Sequence, residues 1–452
     1  MWALESAQSN GAAFWRGWLF GVGKFGIGAS WIYVSINVHG NAPPVLAGFL
    51  VVIFVTGLAL FSGVLGLCVR RLRTGAPYAD AAMFSAVYVL FEWLLTWFLT
   101  GFPWLFVGYA FLDTPLESLA PVGGVLLVSL AAVASASFLR VAVSKRLALV
   151  GVAAPWLVGI GLSAVTWVQS GEMRTVALVQ GNIPQEIKWR RESVGMILER
   201  YLSLTEPVWN RDLIVWPEAA ITVSLAQAGP FLDGVAERAD GAVLLGIPIF
   251  ERRGDFWVNY NGAVVVGEGG GTYAKRRLVP FGDYVPLEGL LRGLIDFFDL
   301  PMSTARAGAW DQALLHANGD GISTAICYEI VYSRLVARDA RDAGMIVTIS
   351  NDTWFGESIG PLQHMQMARM RALETGRYLL RSTNNGVTAI VDHEGRVLEA
   401  LPQFEEGVLA GEIRIMRGNT PYSLVLDYLV LGLCLVLLAP SSRSIVRRST
   451  ER

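Results

Sequence analysis

The sequence is poor in charged residues. Only 16% of its 452 residues are charged, whereas a soluble chain has about 25%. Hydrophobic residues make up 53% of the chain, and the mean hydropathy is +0.45. The formal net charge is −2, and no long block of lysine or arginine interrupts the sequence. This composition favours a membrane protein and argues against nucleic-acid binding.

Cysteine and histidine are equally scarce. Two of the three cysteines, Cys68 and Cys434, lie inside apolar runs, which leaves Cys327 as the only thiol in the polar part. No disulfide framework is therefore available. The four histidines have no spacing typical of metal ligands, so we predict neither a metal nor another cofactor. They are His39, His316, His364 and His393.

Apolar runs long enough to cross a bilayer dominate both ends of the chain. A helical span needs about 20 residues, and six runs approach that length. They are Trp18–Val38, Pro44–Val69, Ala79–Phe98, Ala120–Leu139, Leu147–Val168 and Ser423–Leu438. We predict a five-span domain over 1–168, a soluble domain over 169–420, and a last span with a basic tail over 421–452.

Basic residues cluster at alternate ends of these runs. Because such residues stay in the cytoplasm, the soluble domain is predicted to lie outside it. Two charged residues, Lys24 and Glu92, fall inside the runs, and we interpret both as structural, with Lys24 near enough to a helix end to snorkel. The basic residues are Arg16, Arg70, Arg71, Arg73, Arg140, Lys145, Arg146, Arg443, Arg447, Arg448 and Arg452.

The soluble part alternates strand-like and helical patterns, which indicates an α/β fold with its site at strand ends. Glycines over Gly267–Gly271 join two strand-like runs and predict a hairpin turn. The predicted strands are Arg174–Gln180, Leu213–Trp216, Ala242–Ile249, Ile322–Cys327 and Met345–Ser350. The predicted helices are Glu192–Leu204 and Leu362–Leu380.

Three polar residues follow or adjoin such strands. Cys327 ends the run GISTAIC, and Glu218 follows LIVWP, where a carboxylate is placed as a general base. Lys275 precedes a loop that contains Asp283. A lysine beside a thiol lowers the pKa of the thiol and can stabilise an oxyanion. Taken singly, each has an ordinary interpretation as a core cysteine, an exposed acid or a solvated loop charge.

Together these residues resemble the carbon-nitrogen hydrolase (nitrilase) superfamily, which has Glu, Lys and Cys in this chain order. The flanking spans narrow the resemblance to its bacterial membrane-bound N-acyltransferases, from about Phe14 to the C-terminus. The motifs that carry it are Val179–Trp189, Trp216–Glu218, Lys275–Pro286, Cys327–Glu329, Ser350–Gly356 and Thr383–Gly386.

The resemblance implies a four-layer αββα domain on the periplasmic side of the inner membrane, inserted between helices of a transmembrane domain. It also implies a ping-pong acyl transfer. A phospholipid would be the donor, and the N-terminal diacylglyceryl-cysteine amine of an apolipoprotein would be the acceptor. We expect a monomer. The family usually has further hydrophobic segments before the run that begins near Trp18. We expect either that the start codon is misassigned or that the chain is naturally short.

Residue roles follow from the same resemblance. Cys327 would be the nucleophile, Glu218 the general base and Lys275 the oxyanion partner. Asp283 stands where the family usually has the longer Glu, so we expect it to reach Lys275 less directly. The other residues implied to line or support the site are Trp189, Asn261, Tyr328 and Glu329.

Two segments and the function of the whole chain leave alternatives open. The segment Leu290–Met302 is either an interfacial arm or a core-packing helix. The residues Gly356–Gly360 match GxSxG, with His393 the only later histidine that completes a serine-hydrolase order. The triad itself also suits a membrane-anchored hydrolase of a small amide or nitrile. A non-enzymatic membrane protein is the third interpretation, beside the N-acyltransferase and the hydrolase. Replacing Cys327 by alanine would distinguish it from both enzymes.

Overall fold

A computed structural model of the chain describes residues 1–286, 289 and 304–450. The segment predicted as an arm, Leu290–Met302, lies outside these residues. The chain forms two compact units. A helical unit comprises Met1–Ser30, Val45–Trp167 and Thr420–Arg452, and an α/β unit comprises Trp31–Pro44 and Val168–Asn419.

The helical unit contains fewer full-length spans than the six predicted. Among the described residues, Pro44–Leu72 and Pro115–Ala142 are long and apolar enough to cross a membrane. Asn10–Gly28 and Ile32–His39 would add a third if the pair, bent by 61°, formed one span. The helices of this unit are Trp2–Glu5, Asn10–Gly28, Pro44–Leu72, Pro77–Leu94, Ala120–Ala142, Leu149–Leu162, Pro421–Val425 and Tyr428–Thr450.

The remaining predicted runs are short helices or are interrupted. The third is the 18-residue helix Pro77–Leu94, which includes buried Asp80 and Glu92. The fifth and sixth runs contain apolar helices over Arg146–Leu162 and Tyr428–Ser441. A hydropathy pattern locates such segments but does not show where each helix ends.

The first predicted run, Trp18–Val38, is broken where the helix ends at Gly28. Beyond the break, residues 31–44 pack within the α/β unit. The Ser35 hydroxyl donates to the Trp354 carbonyl at 2.7 Å, and the Trp31 ring meets Phe355 edge to face at 4.7 Å. The run therefore divides between the two units.

Lys24 and Glu92 have polar or aromatic partners inside the helical unit. The Lys24 ammonium lies 3.5 Å from the Tyr88 hydroxyl and over the rings of Phe25 and Tyr88. Glu92 is 2% exposed, and its Oε1 accepts the Val107 N–H at 2.8 Å. These contacts favour the structural interpretation of both residues.

Two sheets form the centre of the α/β unit. The six-stranded sheet has the order β13-β1-β2-β3-β4-β6, and the seven-stranded sheet has the order β12-β11-β10-β9-β8-β7-β5. The strands are β1 Gln169–Gln180, β2 Leu213–Val215, β3 Ala242–Arg253, β4 Phe256–Gly267, β5 Gly269–Gly270, β6 Thr272–Ala274, β7 Leu315–Ala317, β8 Asp320–Ile326, β9 Met345–Ser350, β10 Leu379–Thr383, β11 Ala389–Val391, β12 Val397–Ala400 and β13 Gly407–Arg417.

Alternating side chains explain the layers. Leu178 of β1 packs with Val347 of β9 in a core between the sheets, whereas Val179 packs outward in a cluster with Ile197 and Tyr201. Because successive side chains along a strand point to opposite faces, the sheet contributes to both the core between the sheets and the apolar layer on its outer face. The described helices of this unit are Ile32–Val34, Gln185–Lys188, Val194–Thr205, Leu225–Arg238, Ser333–Asp339 and Gly360–Thr375.

This arrangement confirms the αββα prediction, with Ser333–Asp339 and Gly360–Thr375 packed against β8 and β10 of the second sheet. The glycine turn is also confirmed, because β4 and β6 pair antiparallel across it. The predicted helix Leu362–Leu380 is too long. It ends at Thr375 because Gly376 adopts the left-handed conformation (φ +65°), which commonly terminates a helix.

Topology brings the ends of several parallel strands together. Strands β1, β2 and β3 are parallel in one sheet, and β8, β9 and β10 are parallel in the other. Glu218 follows β2, Cys327 follows β8, and Asn351 follows β9. The loops at these carboxyl ends carry the candidate site.

Candidate active site

Glu218 is fixed by hydrogen bonds to both carboxylate oxygens. Its Oε1 accepts from the Asn261 side chain at 2.7 Å, and its Oε2 accepts the Asn351 N–H at 2.7 Å. The preceding Trp216 is fully buried and donates its indole N–H to Thr205. The carboxylate is 7% exposed, so its orientation is set before any substrate arrives.

Lys275 is a buried cation between two carboxylates. Its Nζ lies 2.8 Å from Asp283 Oδ2 and 3.6 Å from Glu218 Oε1. Burial alone would lower the pKa of Lys275, but Asp283 and Glu218 outweigh burial and raise this pKa above its ordinary value. The lysine is therefore protonated.

The expectation that Asp283 reaches Lys275 less directly is wrong, since Asp283 makes the closer of the two contacts. The loop compensates for the shorter side chain by folding back on itself. The Val279 N–H donates to Asp283 Oδ2 at 2.8 Å, and the Asp283 N–H donates to the Val279 carbonyl.

Cys327 occupies a strained position directly after β8. Its φ of +54° lies in the left-handed region, which is uncommon for a residue with a side chain. Burial raises the pKa of the Cys327 thiol and Glu218 raises it further, whereas Lys275 lowers it. The net shift of the thiol pKa is upward. Contrary to the prediction from the sequence, Lys275 therefore does not lower this pKa below its ordinary value, and the resting thiol is neutral.

A second polar cluster holds the Cys327 backbone. His364 Nε2 lies 3.2 Å from the Cys327 carbonyl oxygen, while its Nδ1 lies 3.0 Å from Arg381 Nη2. Arg381 also donates to Asp352 Oδ2 at 2.6 Å. His364 Nδ1 also lies 3.2 Å from Asp352 Oδ1. Burial and the Arg381 charge lower the pKa of His364 more than Asp352 raises it, so the ring is neutral and its Nε2 donates to the Cys327 carbonyl.

Sequence reasoning missed this cluster. Asp352 belongs to the quoted motif Ser350–Gly356, and His364 stands in the helix that follows it. Arg381 belongs to β10. Nothing in their spacing indicates that Asp352 and Arg381 contact the histidine that holds the Cys327 carbonyl.

Glu329 connects the segments on either side of Cys327. Its Oε2 accepts the Ile326 N–H at 2.9 Å, and its Oε1 accepts the N–H groups of Arg276 and Arg277 at 2.7 and 3.1 Å. Tyr328 is 8% exposed. These bonds fix the thiol relative to the segment that begins at Lys275.

Lys188 was also missed. It is fully buried and donates from Nζ to the Glu218 carbonyl at 3.1 Å. Burial lowers the pKa of Lys188 to about 8, against the opposing influence of Glu218. The neighbouring Trp189, predicted to line or support the site, is 37% exposed at the end of the helix Gln185–Lys188.

The GxSxG segment lacks the contacts of a serine-hydrolase site. The Ser358 hydroxyl accepts the Gly360 N–H at 3.1 Å, and His393 stacks on Tyr378. No hydrogen bond joins Ser358 to His393 in the part of the chain that the structure describes. The segment is a loop before the helix Gly360–Thr375.

The arrangement therefore combines a carboxylate, a protonated lysine and a neutral thiol at converging strand ends. We call Glu218, Lys275 and Cys327, with Asn261 and Asp283, the thiol site. Such a site can deprotonate a thiol locally and stabilise negative charge beside it.

Comparison with known proteins agrees with this geometry. The carbon-nitrogen hydrolase family model matches residues 175–419, and the apolipoprotein N-acyltransferase N-terminal domain model matches residues 1–138. An apolipoprotein N-acyltransferase of Pseudomonas paraeruginosa is 48% identical over 443 residues, covering 94% of this chain and 86% of that protein. The chain belongs to the apolipoprotein N-acyltransferase family.

Other members of this family are similarly close. The Azotobacter vinelandii apolipoprotein N-acyltransferase is 46% identical, covering 98% of this chain and 88% of its own length. Among solved structures, the nitrilase-superfamily protein Nit3 of Saccharomyces cerevisiae has a TM-score of 0.41 and 18% identity, over 54% of this chain and 91% of Nit3.

Proposed function

We propose that this protein transfers an acyl chain from a phospholipid to the α-amino group of the N-terminal diacylglyceryl-cysteine of an apolipoprotein. The observation that carries the proposal is that Glu218 and Lys275 lie 3.6 Å apart and that the charges of both act on the Cys327 thiol. The close relatives named apolipoprotein N-acyltransferase support the choice of substrates.

The first half-reaction forms a thioester on Cys327. Glu218 takes the thiol proton as Sγ bonds to the ester carbonyl carbon, and the protonated Lys275 stabilises the oxyanion. The carbonyl then reforms as the carbon–oxygen bond to the glycerol breaks. Glu218 returns the proton to the departing oxygen, which leaves as the hydroxyl of a lysophospholipid.

The second half-reaction passes the acyl chain to the amine. The neutral α-amine attacks the thioester carbon, and Lys275 again stabilises the oxyanion. The carbon–sulfur bond breaks as Glu218 moves one amine proton to the sulfur. The products are an amide and the original thiol. Two moderate barriers thus replace one direct ester-to-amide step.

The upward shift in the Cys327 pKa supports a general base in this scheme. A neutral thiol is a weak nucleophile. Asn261 and Asp283 would orient Glu218 and Lys275, and Glu329 would position the backbone on both sides. We further propose that Tyr328 and Trp189 line the substrate path.

We infer the cellular setting from the apolar helices and the distribution of basic residues. We propose domains over 1–168, 169–420 and 421–452, with the catalytic domain in the periplasm and the helices in the bacterial inner membrane. The protein would act as a monomer without a cofactor. Anchoring both lipid substrates in one bilayer would raise their local concentration at the site.

Mass spectrometry of the purified full chain tests the proposal. Incubation with phospholipid is expected to add an acyl mass to Cys327 that neutral hydroxylamine removes. Adding a diacylglyceryl-cysteine peptide should then discharge the adduct and give the peptide one acyl chain. Loss of the adduct to water alone would instead identify a hydrolase. Failure to form any adduct would contradict the thioester mechanism.

A further inference from the structure

Two consecutive arginines beyond Lys275 have contrasting partners. Arg276 donates to the Tyr273 hydroxyl and the Trp310 carbonyl and forms an ion pair with Asp339. The guanidinium of Arg277 has no hydrogen-bond acceptor or carboxylate partner among the residues that the structure describes, and its Nε is enclosed without a partner.

Aromatic rings hold Arg277 without using its donors. The guanidinium carbon lies 5.2 Å from the Trp310 ring centre and 5.0 Å from the Tyr332 ring centre. Cation–π contacts orient a guanidinium but leave its N–H groups free. A planar, pre-oriented guanidinium with free donors suits two phosphate oxygens.

The position of Arg277 relates it to the thiol site. One carboxylate, that of Glu329, accepts the backbone N–H of Arg277 and the N–H of Ile326, the residue before Cys327. The Tyr332 ring that holds Arg277 meets Tyr328 edge to face at 5.3 Å. Glu329 therefore joins the backbone of Arg277 to the residue before Cys327, and the ring that holds Arg277 packs on the residue after Cys327.

We propose that Arg277, held between Trp310 and Tyr332, binds the phosphate of the phospholipid donor while the donor's ester carbonyl is at Cys327. Only the glycerol backbone separates these two groups in a phospholipid. The inference rests on the proposed function and adds a residue that recognises the donor headgroup. Inorganic phosphate presents similar oxygens, so the experiment must distinguish the two sources.

The test compares two acyl donors in single-turnover acylation of Cys327, using the full chain in detergent micelles. One donor is a phospholipid, and the other is a fatty-acid p-nitrophenyl ester, which has no phosphate. Arg277→Gln should slow acylation by the phospholipid about 10- to 100-fold, the range for losing charge-assisted hydrogen bonds. The nitrophenyl ester should react at the wild-type rate. Arg277→Lys should lie between.

Arg338→Gln is the matched control. Arg338 also lies over the Trp310 ring, at 5.8 Å, but it forms an ion pair with Asp311. Its replacement should leave acylation by both donors unchanged. Equal thermal unfolding midpoints of wild type and the Arg277 variants would establish that the donor effect is not a loss of folding.

The following outcomes would overturn the inference. Equal slowing with both donors would make Arg277 structural, and no slowing with phospholipid would leave it without a role in donor binding. If Arg277→Gln reacts normally with both donors while inorganic phosphate inhibits only the wild type, the site takes soluble phosphate. A wild-type protein acylated by the nitrophenyl ester but never by phospholipid would instead refute the proposed function, and the inference with it.

Discussion

The two units of this protein each enclose a lysine and a glutamate, but they arrange the pair differently. In the thiol site, both oxygens of Glu218 accept hydrogen bonds, and Lys275 contacts Asp283 at 2.8 Å. In the helical unit, Lys24 reaches the Tyr88 hydroxyl at 3.5 Å. There, Glu92 Oε2 has no hydrogen-bond partner among the described residues.

The difference indicates two uses of buried charge. A network in which each group is already oriented stabilises developing charge without reorganisation. In the helical unit, Lys24 instead connects two helices through Tyr88, and Glu92 holds the Val107 backbone. Substitutions in the thiol site should therefore change the rate of chemistry, and substitutions of the helical pair should mainly change stability.

The largest effect is expected at Cys327. Cys327→Ala should abolish acyl transfer to a diacylglyceryl-cysteine peptide, and Cys327→Ser should lose most of it because an alkoxide forms much less readily than a thiolate. Cys434→Ala, which removes a buried thiol of the helical unit, is the control and should remain active. Wild-type rates in Cys327→Ala would refute the nucleophile assignment.

Lys275→Met should have the next largest effect. Losing an oxyanion partner typically slows the chemical step about 10²- to 10³-fold, and single-turnover acylation measures that step. Lys145→Met, which changes an exposed lysine of the helical unit, should leave the rate unaltered. A near-normal rate in Lys275→Met would exclude the proposed role and remove the contrast between the two units.

Lys188 sharpens the comparison because it is a buried lysine that contacts no carboxylate among the described residues. Its pKa of about 8 lies below the ordinary 10.5, so between these values the unfolded chain binds a proton that the folded chain does not. Wild-type stability should therefore rise with pH across this window, by about 1–3 kcal/mol relative to Lys188→Met. Thermal unfolding of both proteins from pH 7 to 10 measures the difference. Parallel pH profiles would show that Lys188 does not titrate in this way.

The smallest effect is expected from Glu92→Gln. Glutamine keeps an oxygen for the Val107 N–H and removes the charge. We expect an unfolding free energy within about 1 kcal/mol of wild type and an unchanged acylation rate. A fall in rate as large as that of Lys275→Met would give the helical pair a part in function.

Apolar runs in the sequence predicted the site residues that follow strands, Glu218 and Cys327. Apolar runs that end in Glu218 and Cys327 placed both at strand ends, and the structure has β2 and β8 there. Short apolar runs likewise predicted strands β1 and β9. Both features depend on residues that are neighbours in the chain.

Contacts between distant segments were not predictable in the same way. The distance from Lys275 to Asp283 depends on how the loop folds back, and the His364 cluster joins a loop, a helix and β10. The division of the first apolar run after Gly28 likewise depends on Trp31 packing against Phe355. Composition records none of these long-range contacts.

The most direct test of the account is the pH dependence of Cys327 acylation by phospholipid in wild type and Glu218→Gln. In the proposed mechanism, Glu218 deprotonates a neutral thiol. The variant should therefore react about 10²- to 10⁴-fold more slowly than wild type at neutral pH, and recover as rising pH supplies thiolate. Wild-type acylation by Glu218→Gln at neutral pH would contradict it.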